Sequence, residues 1–360
     1  MNYRFSKIFA EKSYAADATE IIDLNVVDPI SQLIIACNPN YASAALSAHP
    51  IACLKKVELV DGSDVLMSLS GYEAEALDIY HSKKMRSNFN TQLGSMGVER
   101  FVHLNFGRKL WDKEFAFDPG KFKNPQLKIS LDLDASGGGA TSILLSVLAA
   151  MFDEKTISPT GFLMSKEIKE YSMASGAHEY TDLPTDFPYR KLLIKALTHG
   201  AEPGAIIENI KLSEDQDKRI IFNDEPENLL RTLAADNQEL EEQIIFAATT
   251  SAKNVYTTVS ARATAVIMDW AAAMASTGHT SYGSAGGRMV AYAQAATNAI
   301  AHIRGWLPHG VYELPFGDQE DPEDWFDVMR VGSLKLDIKA FTGRSSSDVI
   351  QIFLQQLRNY

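Results

Sequence analysis

Eight histidines are the side chains best suited to moving protons or binding a metal: His49, His81, His103, His178, His199, His279, His302 and His309. None falls in an HExxH or zinc-finger spacing, although His302 and His309 flank a turn at Gly305, so their pattern assigns neither a metal ligand nor a base. A serine nucleophile on a strained elbow would show as G-x-S-x-G, which is absent. The glycine-rich SGGGATS (136–142) lacks the GK[ST] of a phosphate loop, as does GSAGGR (283–288), and both read as loops. Carboxylates cluster at Glu214-Asp215-Gln216-Asp217 and at Asp318–Asp327. Hard cations take several converging oxygens, so weak calcium binding is conceivable there, but neither run has EF-hand spacing and solvated turns are the better reading. The two cysteines, Cys37 and Cys53, sit in apolar surroundings with no CxxC and read as buried small hydrophobes. No residue is assigned a catalytic, cofactor-binding or metal-binding role.

What would position such residues is set first by size and charge. At 360 residues the chain exceeds what one hydrophobic core usually organises, so two domains are expected. The formal net charge is −12 with a pI near 5.2 and no long basic run, which argues against a dedicated nucleic-acid binder. With 46% hydrophobic and 22% charged residues the composition is that of a folded protein. The longest strongly apolar stretch, Ser142 to Phe152, is far short of the roughly 20 residues of a spanning helix. The start, MNYRFSKIFAEKSY, lacks the apolar centre of a secretory signal, and production in a reducing cytoplasm is expected.

Strand signals dominate. Runs at Gln32–Ala36, Val57–Val60, Val65–Leu69, Phe101–Phe106, Leu127–Leu133, Lys191–Leu197, Asn209–Leu212, Ile220–Phe222, Val311–Phe316 and Ser333–Ile338 are bounded by Gly, Pro, Asn and Asp. Leu127, Ile129, Leu131 and Leu133 alternate with polar residues, the period of a strand with one buried face. Helices are expected as insertions at Tyr72–Lys84 and Pro226–Asn237, and in the Ala-rich segments Ser260–Ala275 and Met289–Ile303. The irregular alternation of strand and helix disfavours a doubly wound parallel sheet.

An internal repeat organises these runs. Residues 57–77 lie over 210–230 without a gap, pairing Val57/Ile210, Leu59/Leu212, Met67/Ile220, Leu69/Phe222 and Leu77/Leu230. Further on, FVHLNFGR (101–108) parallels VYELPFGD (311–318), and QLKISLDL (126–133) parallels SLKLDIKA (333–340). An apolar run then closes each copy, at Ile143–Phe152 and Val349–Leu357, and the second copy holds an insertion around 240–300. About eight short strands per copy must hide their edges, and two packed four-stranded sheets do so. The expected fold is all-β dominant: two tandem eight-stranded jelly rolls with helical insertions. The expected divisions are an arm (1–24), a first jelly roll (25–155), a linker (156–185) and a second jelly roll (186–360).

GVYELPFGD followed by SLKLDIKA and VIQIFLQQLRNY, with FGR and LKISLDL in the first half, resembles the double jelly-roll major capsid proteins of tailless icosahedral viruses, especially bacterial viruses with an internal membrane. The resemblance spans roughly residues 25–360. It implies a homotrimer whose six jelly rolls give a pseudo-hexameric capsomer, upright on a virion shell, contacting neighbouring capsomers, penton and minor capsid proteins. It also implies that the insert around 240–300 is a tower or an inter-subunit contact, with Ser281–Gly287 as a mobile outer loop. Its Ala-rich helical character departs from that family.

The N-terminal segment places Phe5, Ile8 and Phe9 at helical spacing beside Arg4, Lys7 and Lys12, with only Glu11 opposing, which suits contact with an anionic membrane or docking on a neighbouring subunit. Two other functions stay open. A carbohydrate-binding or glycoside-processing double sandwich would use exposed aromatics and paired acids. Trp111, Trp306 and Trp325 lie near strand ends and Trp270 in the insert. A cupin-like metalloenzyme would need clustered His and Glu ligands on adjacent strands, which the pattern does not show. The leading reading is a structural capsid protein, not an enzyme.

Overall fold

The computed structural model describes residues 2–85, 89–155, 157–248, 251–269, 279–293, 297–344 and 348–360. The first half forms β1 (Tyr3–Tyr14), β2 (Ala18–Asp23), β3 (Ile30–Tyr41), β4 (Leu54–Asp61), β5 (Asp64–Leu69), α1 (Gly71–Ser82), β6 (Phe89–Gln92), β7 (Met96–Gly97), β8 (Phe101–Asn105), β9 (Pro125–Leu131) and β10 (Ala140–Phe152). Two sheets face each other across an apolar core. One runs β1-β10-β3 with β8 beside β3, and the other β2-β9-β4-β5.

The second half repeats the plan. Its strands are β11 (Gly161–Ser172), β12 (His178–Leu183), β13 (Tyr189–Ala196), β14 (Ile207–Glu214) and β15 (Arg219–Asp224), then α2 (Pro226–Asp236). The insert supplies β16 (Leu240–Ala248), β17 (Lys253–Tyr256), β18 (Val259–Asp269), β19 (His279–Ala285), β20 (Arg288–Ala293) and β21 (Thr297–Pro308), and β22 (Val311–Pro315), β23 (Leu334–Ala340) and β24 (Val349–Asn359) complete the lobe. The orders β11-β24-β13-β22 and β12-β23-β14-β15 match those of the first lobe, so the fold is a double jelly roll. The lobes are joined edge to edge, because β5 pairs in parallel with β11 and makes one eight-stranded sheet, β2-β9-β4-β5-β11-β24-β13-β22.

All ten expected strand runs are strands, and the helices at 72–84 and 226–237 are α1 and α2. Leu127, Ile129 and Leu131 of β9 alternate buried with half-buried neighbours as their pattern requires. Four expectations need correction. Residues expected as an N-terminal arm form β1 and β2, which pair with β10 and β9. The spacing of Phe5, Ile8 and Phe9 imitates a helix because β1 carries register shifts at Lys7/Phe9 and Phe9/Lys12. Residues expected as a linker form β11 and β12, the second-lobe counterparts of the same two strands.

The third correction concerns the Ala-rich insert, which is β rather than helical. β16, β18 and β21 make a sheet with β6, and β17, β19 and β20 a second one. Ala299, Ala301 and Ile303 alternate into a separate core with Ile244 and Phe246, where alanine fits the narrow space between sheets, so packing overrides helix propensity. Residues 270–275 of that expected helix, with Trp270, lie outside the described residues. Ser281–Gly287, expected as a mobile loop, belongs to the β19–β20 hairpin. Last, the gapless repeat holds for β4 and β14 but slips afterwards. The ladders equate Met67 with Phe222 and Leu69 with Asp224, because the β14–β15 turn is longer.

Candidate functional site

The seam between lobes is built from strand edges. Ser68 of β5 lies opposite Lys166 of β11, and Arg358, at the end of β24, holds Asp64 at 2.6 Å. That bond keeps the Asp64 carboxyl below its usual range. Tyr80 of α1 donates to the Val311 carbonyl of β22. Phe162, Met164, Leu193, Val311 and Phe353 of the second half complete the first lobe's core. At the far end of the seam Arg108 grips Asp112 at 2.8 and 3.1 Å and donates to the Glu320 carbonyl of the second lobe at 2.9 Å.

Where both lobes meet the insert, a polar cluster is buried. His49 opens the short turn Pro50–Cys53 after β3, Glu75 lies on α1 and Arg100 precedes β8. Glu242 sits on β16, and His309 in the β21–β22 turn at φ 51. Arg100 Nη2 is 2.9 Å from His49 Nε2 and Nη1 is 3.4 Å from Glu75 Oε1, while His309 Nε2 is 3.0 Å from Glu75 Oε2. The Thr258 and Val259 backbone N–H groups donate to Glu242 Oε1 at 2.7 and 3.2 Å.

Burial disfavours charge at both imidazoles, and Arg100 adds to that, so His49 and His309 are held below the usual histidine range. Burial alone would raise Glu75, but Arg100 and His309 outweigh it and keep the carboxyl ionised. Glu242 is pushed up to about 7 by burial. The ligating atoms of His49, Glu75 and His309 lie within 4.8 Å of one another, a donor set of the kind zinc uses. Arg100 already lies against two of the three, so the cation balancing Glu75 in this arrangement is the guanidinium. The sequence hid the cluster because Glu75 and His309 are 234 residues apart and Arg100 and His49 are 51 apart. The one hint in the sequence was that Glu75 and Asp78 stand among Ala74, Leu77 and Ile79 on a short helix.

The other candidate residues are placed separately. SGGGATS turns into β10 with Gly137, Gly138 and Gly139 at positive φ, and Ser136 Oγ lies 3.1 Å from Cys53 Sγ and 2.7 Å from the Tyr41 hydroxyl. Cys37 and Cys53 are free and buried. In the acidic runs Asp217 pairs with Lys211 and Glu214 with Arg219, while Asp318, Asp321 and Asp324 accept backbone N–H groups of their own loop. Those carboxylates cap turns instead of converging. Trp111 stacks on Tyr3, Trp325 is buried and donates to the Asp318 carbonyl at 2.8 Å, and Trp306 packs against the second core.

The two ends of the molecule differ. Tyr3, Pro29 and Phe152 meet at one end of the first lobe, where Val27 is 62% exposed and Leu110 is also exposed. Tyr41, Leu46 and Val98 pack on Tyr256 of the insert at the other. Among the described residues no helix is long and apolar enough to cross a membrane.

No family model and no curated protein matches this sequence. Solved structures do match. The fold aligns with the STIV major capsid protein at a TM-score of 0.63 and 10% identity, covering 99% of this chain and 97% of that one. It aligns with the major capsid protein P2 of bacteriophage PM2 at 0.58 and 11% identity, covering 99% and 98%. It aligns with VP54 of PBCV-1 at 0.59 and 10% identity, covering 99% and 94%. The fold is therefore the double jelly roll of viral major capsid proteins, present along the whole chain.

Proposed function

We propose that this chain is a major capsid protein, a structural and non-catalytic subunit. Three copies form a pseudo-hexameric capsomer that tiles an icosahedral virion shell. The observation that carries the reading is the duplication itself. Two lobes of one plan, joined edge to edge, let a three-fold ring present six similar flanks to its neighbours through heterologous contacts. A net charge of −12 keeps the subunit soluble before assembly. Within this reading the working units are the lobe ending at β10, the lobe beginning at β11 and the insert between α2 and β22. The insert points outward as the tower. The opposite end, with Val27, Leu110 and Lys109, faces inward, where contact with an internal membrane and with minor virion proteins belongs.

Light scattering on the purified protein at several concentrations tests the assembly. A stable species of three chain masses, or closed shells, is the expected result, and a monomer at every concentration would overturn the reading. Co-sedimentation with anionic vesicles tests the inward end, and absence of binding removes the membrane contact alone.

A further inference from the structure

The joint inside one chain has an unused counterpart. The two lobes correspond strand for strand, down to the same irregularities. The ladders β4–β5 and β14–β15 shift register at Leu59/Val60 and at Leu212/Ser213, and β10 and β24 shift against β3 and β13 at Ala150/Met151 and opposite Tyr189/Lys191. Counting along these ladders gives each seam residue a partner in the other lobe. Ser68 corresponds to Asn223, Lys166 to Ser6, Asp64 to Arg219 and Arg358 to Asp153. The seam joins the β5 edge of the first lobe to the β11 edge of the second. The matching edges, β15 of the second lobe and β1 of the first, end their sheets without a strand beyond them among the described residues.

Two observations favour covering these edges with a second copy of this chain. The ion pair at the seam, Asp64 with Arg358, has its counterparts at the free edges with both charges exchanged, as Arg219 and Asp153, which within one chain rest on Glu214 and Arg4 and would be shared across the contact. A pair that is complementary in either sense is what a repeated joint requires. Exposure differs in the same direction. Ser165 of β11 is 1% exposed because the seam covers it, whereas its counterpart Phe5 on β1 is 63% exposed, and Ile220 on β15 is 50% exposed. Exposed apolar residues on unpaired edge strands are the liability that edge pairing removes.

We propose that β15 of one copy lies parallel to β1 of a second copy, with Asn223 beside Ser6 and Arg219 facing Asp153, repeating between chains the joint seen within one. This rests on the trimeric reading and adds its register. The contact is head-to-tail, so it closes a ring when the turn from lobe to lobe is repeated.

The test is a disulfide across the proposed contact, since paired residues on adjacent strands lie within disulfide reach. A variant with Asn223→Cys and Ser6→Cys, oxidised mildly after its assembly state has been measured, should give covalent dimers and trimers that reductant removes, and neither single variant should. Ser68→Cys with Lys166→Cys is the control, closing within one chain. If the protein is trimeric and the control closes but Asn223→Cys and Ser6→Cys do not cross-link, the register is overturned and the trimer stands. A monomer overturns both. For the ion pair, Arg219→Asp should weaken assembly roughly threefold per contact, and adding Asp153→Arg should restore it, whereas failure of the rescue overturns the Arg219–Asp153 facing. A wild-type check needs no variant to fold. In trimers mixed from light and heavy-isotope chains, an amine-reactive cross-linker should join Lys7 to Lys218 between chains, and joining only within chains overturns the contact.

Discussion

The helices α1 and α2 occupy the same place in the two lobes and do opposite things with it. Their N-caps, Ser70 and Glu225, correspond, so Glu75 stands where α2 has Leu230 and Asp78 where it has Leu233. All four are buried. Under α2 the leucines join the second lobe's core. Under α1 the acids meet Arg100, His309 and His103, with Asp78 Oδ2 2.8 Å from His103 Nδ1. The same helix thus acts as a hydrophobic lid on one lobe and as a polar clamp on the other. The clamp sits where both lobes and the insert converge, and a polar cluster with directional partners fixes one mutual arrangement where apolar surfaces tolerate several.

Corresponding strands differ in a similar way. β24 is buried along nearly all its length on both faces, since it lies between its own core and the first lobe, while β10 alternates. Phe353→Ala therefore should cost about 3–5 kcal/mol in chemical denaturation, and Leu148→Ala, its half-buried counterpart in β10, about 1 kcal/mol. Equal costs would mean that the seam does not bury β24. For the helices, Glu75→Gln leaves Arg100 buried without its nearest counter-charge and should cost about 3 kcal/mol in the same assay. A loss under 1 kcal/mol would show that Glu242 alone balances Arg100.

The loops after β8 and β22 compare FGR with FGD. The backbone N–H of Arg108 reaches Asp112 at 3.1 Å as that of Asp318 reaches Asp324 at 2.7 Å, but only the first loop adds a guanidinium. Burial would raise Asp112, yet the Arg108 bonds outweigh it and hold its carboxyl below the ordinary value. A lowered carboxyl contributes stability that is complete above its unfolded value, near 3.8, and lost as pH falls through the folded value. Asp112→Asn should accordingly cost about 2 kcal/mol at pH 7 and progressively less below pH 3.8, read as the difference between the two proteins' acid-unfolding curves. A pH-independent difference would assign the effect to packing.

The smallest contrast lies at the helix starts. Ser70 and Glu73 form a reciprocal capping box, with the Ser70 backbone N–H 2.7 Å from Glu73 Oε2, whereas the Glu225 side chain caps nothing. Ser70→Ala should lower stability by about 1 kcal/mol and Glu225→Ser should raise it by about 0.5 kcal/mol, both measurable as shifts in denaturation midpoint.

Strand identity, duplication and the order of strands along each copy were legible in the sequence, because alternation in Leu127–Leu133 and the paired landmarks at 104/314 and 106–107/316–317 are local patterns imposed by a pleated, half-buried chain. The position of the insert was legible for the same reason. Its secondary structure was not. Alanine-rich segments carry helix propensity locally, and only facing sheets, assembled from β16, β18 and β21 with β6 of the other lobe, supply the narrow core that alanine fills. Likewise the first 24 residues and residues 156–185 look unattached until β10, β9, β24 and β23 present ladders to receive them. The His49–Glu75–Arg100–His309 cluster and the seam belong wholly to the tertiary structure. Their members are brought together by chain closure over 25 to 294 residues, and no periodicity within a strand or helix encodes a distance of that kind.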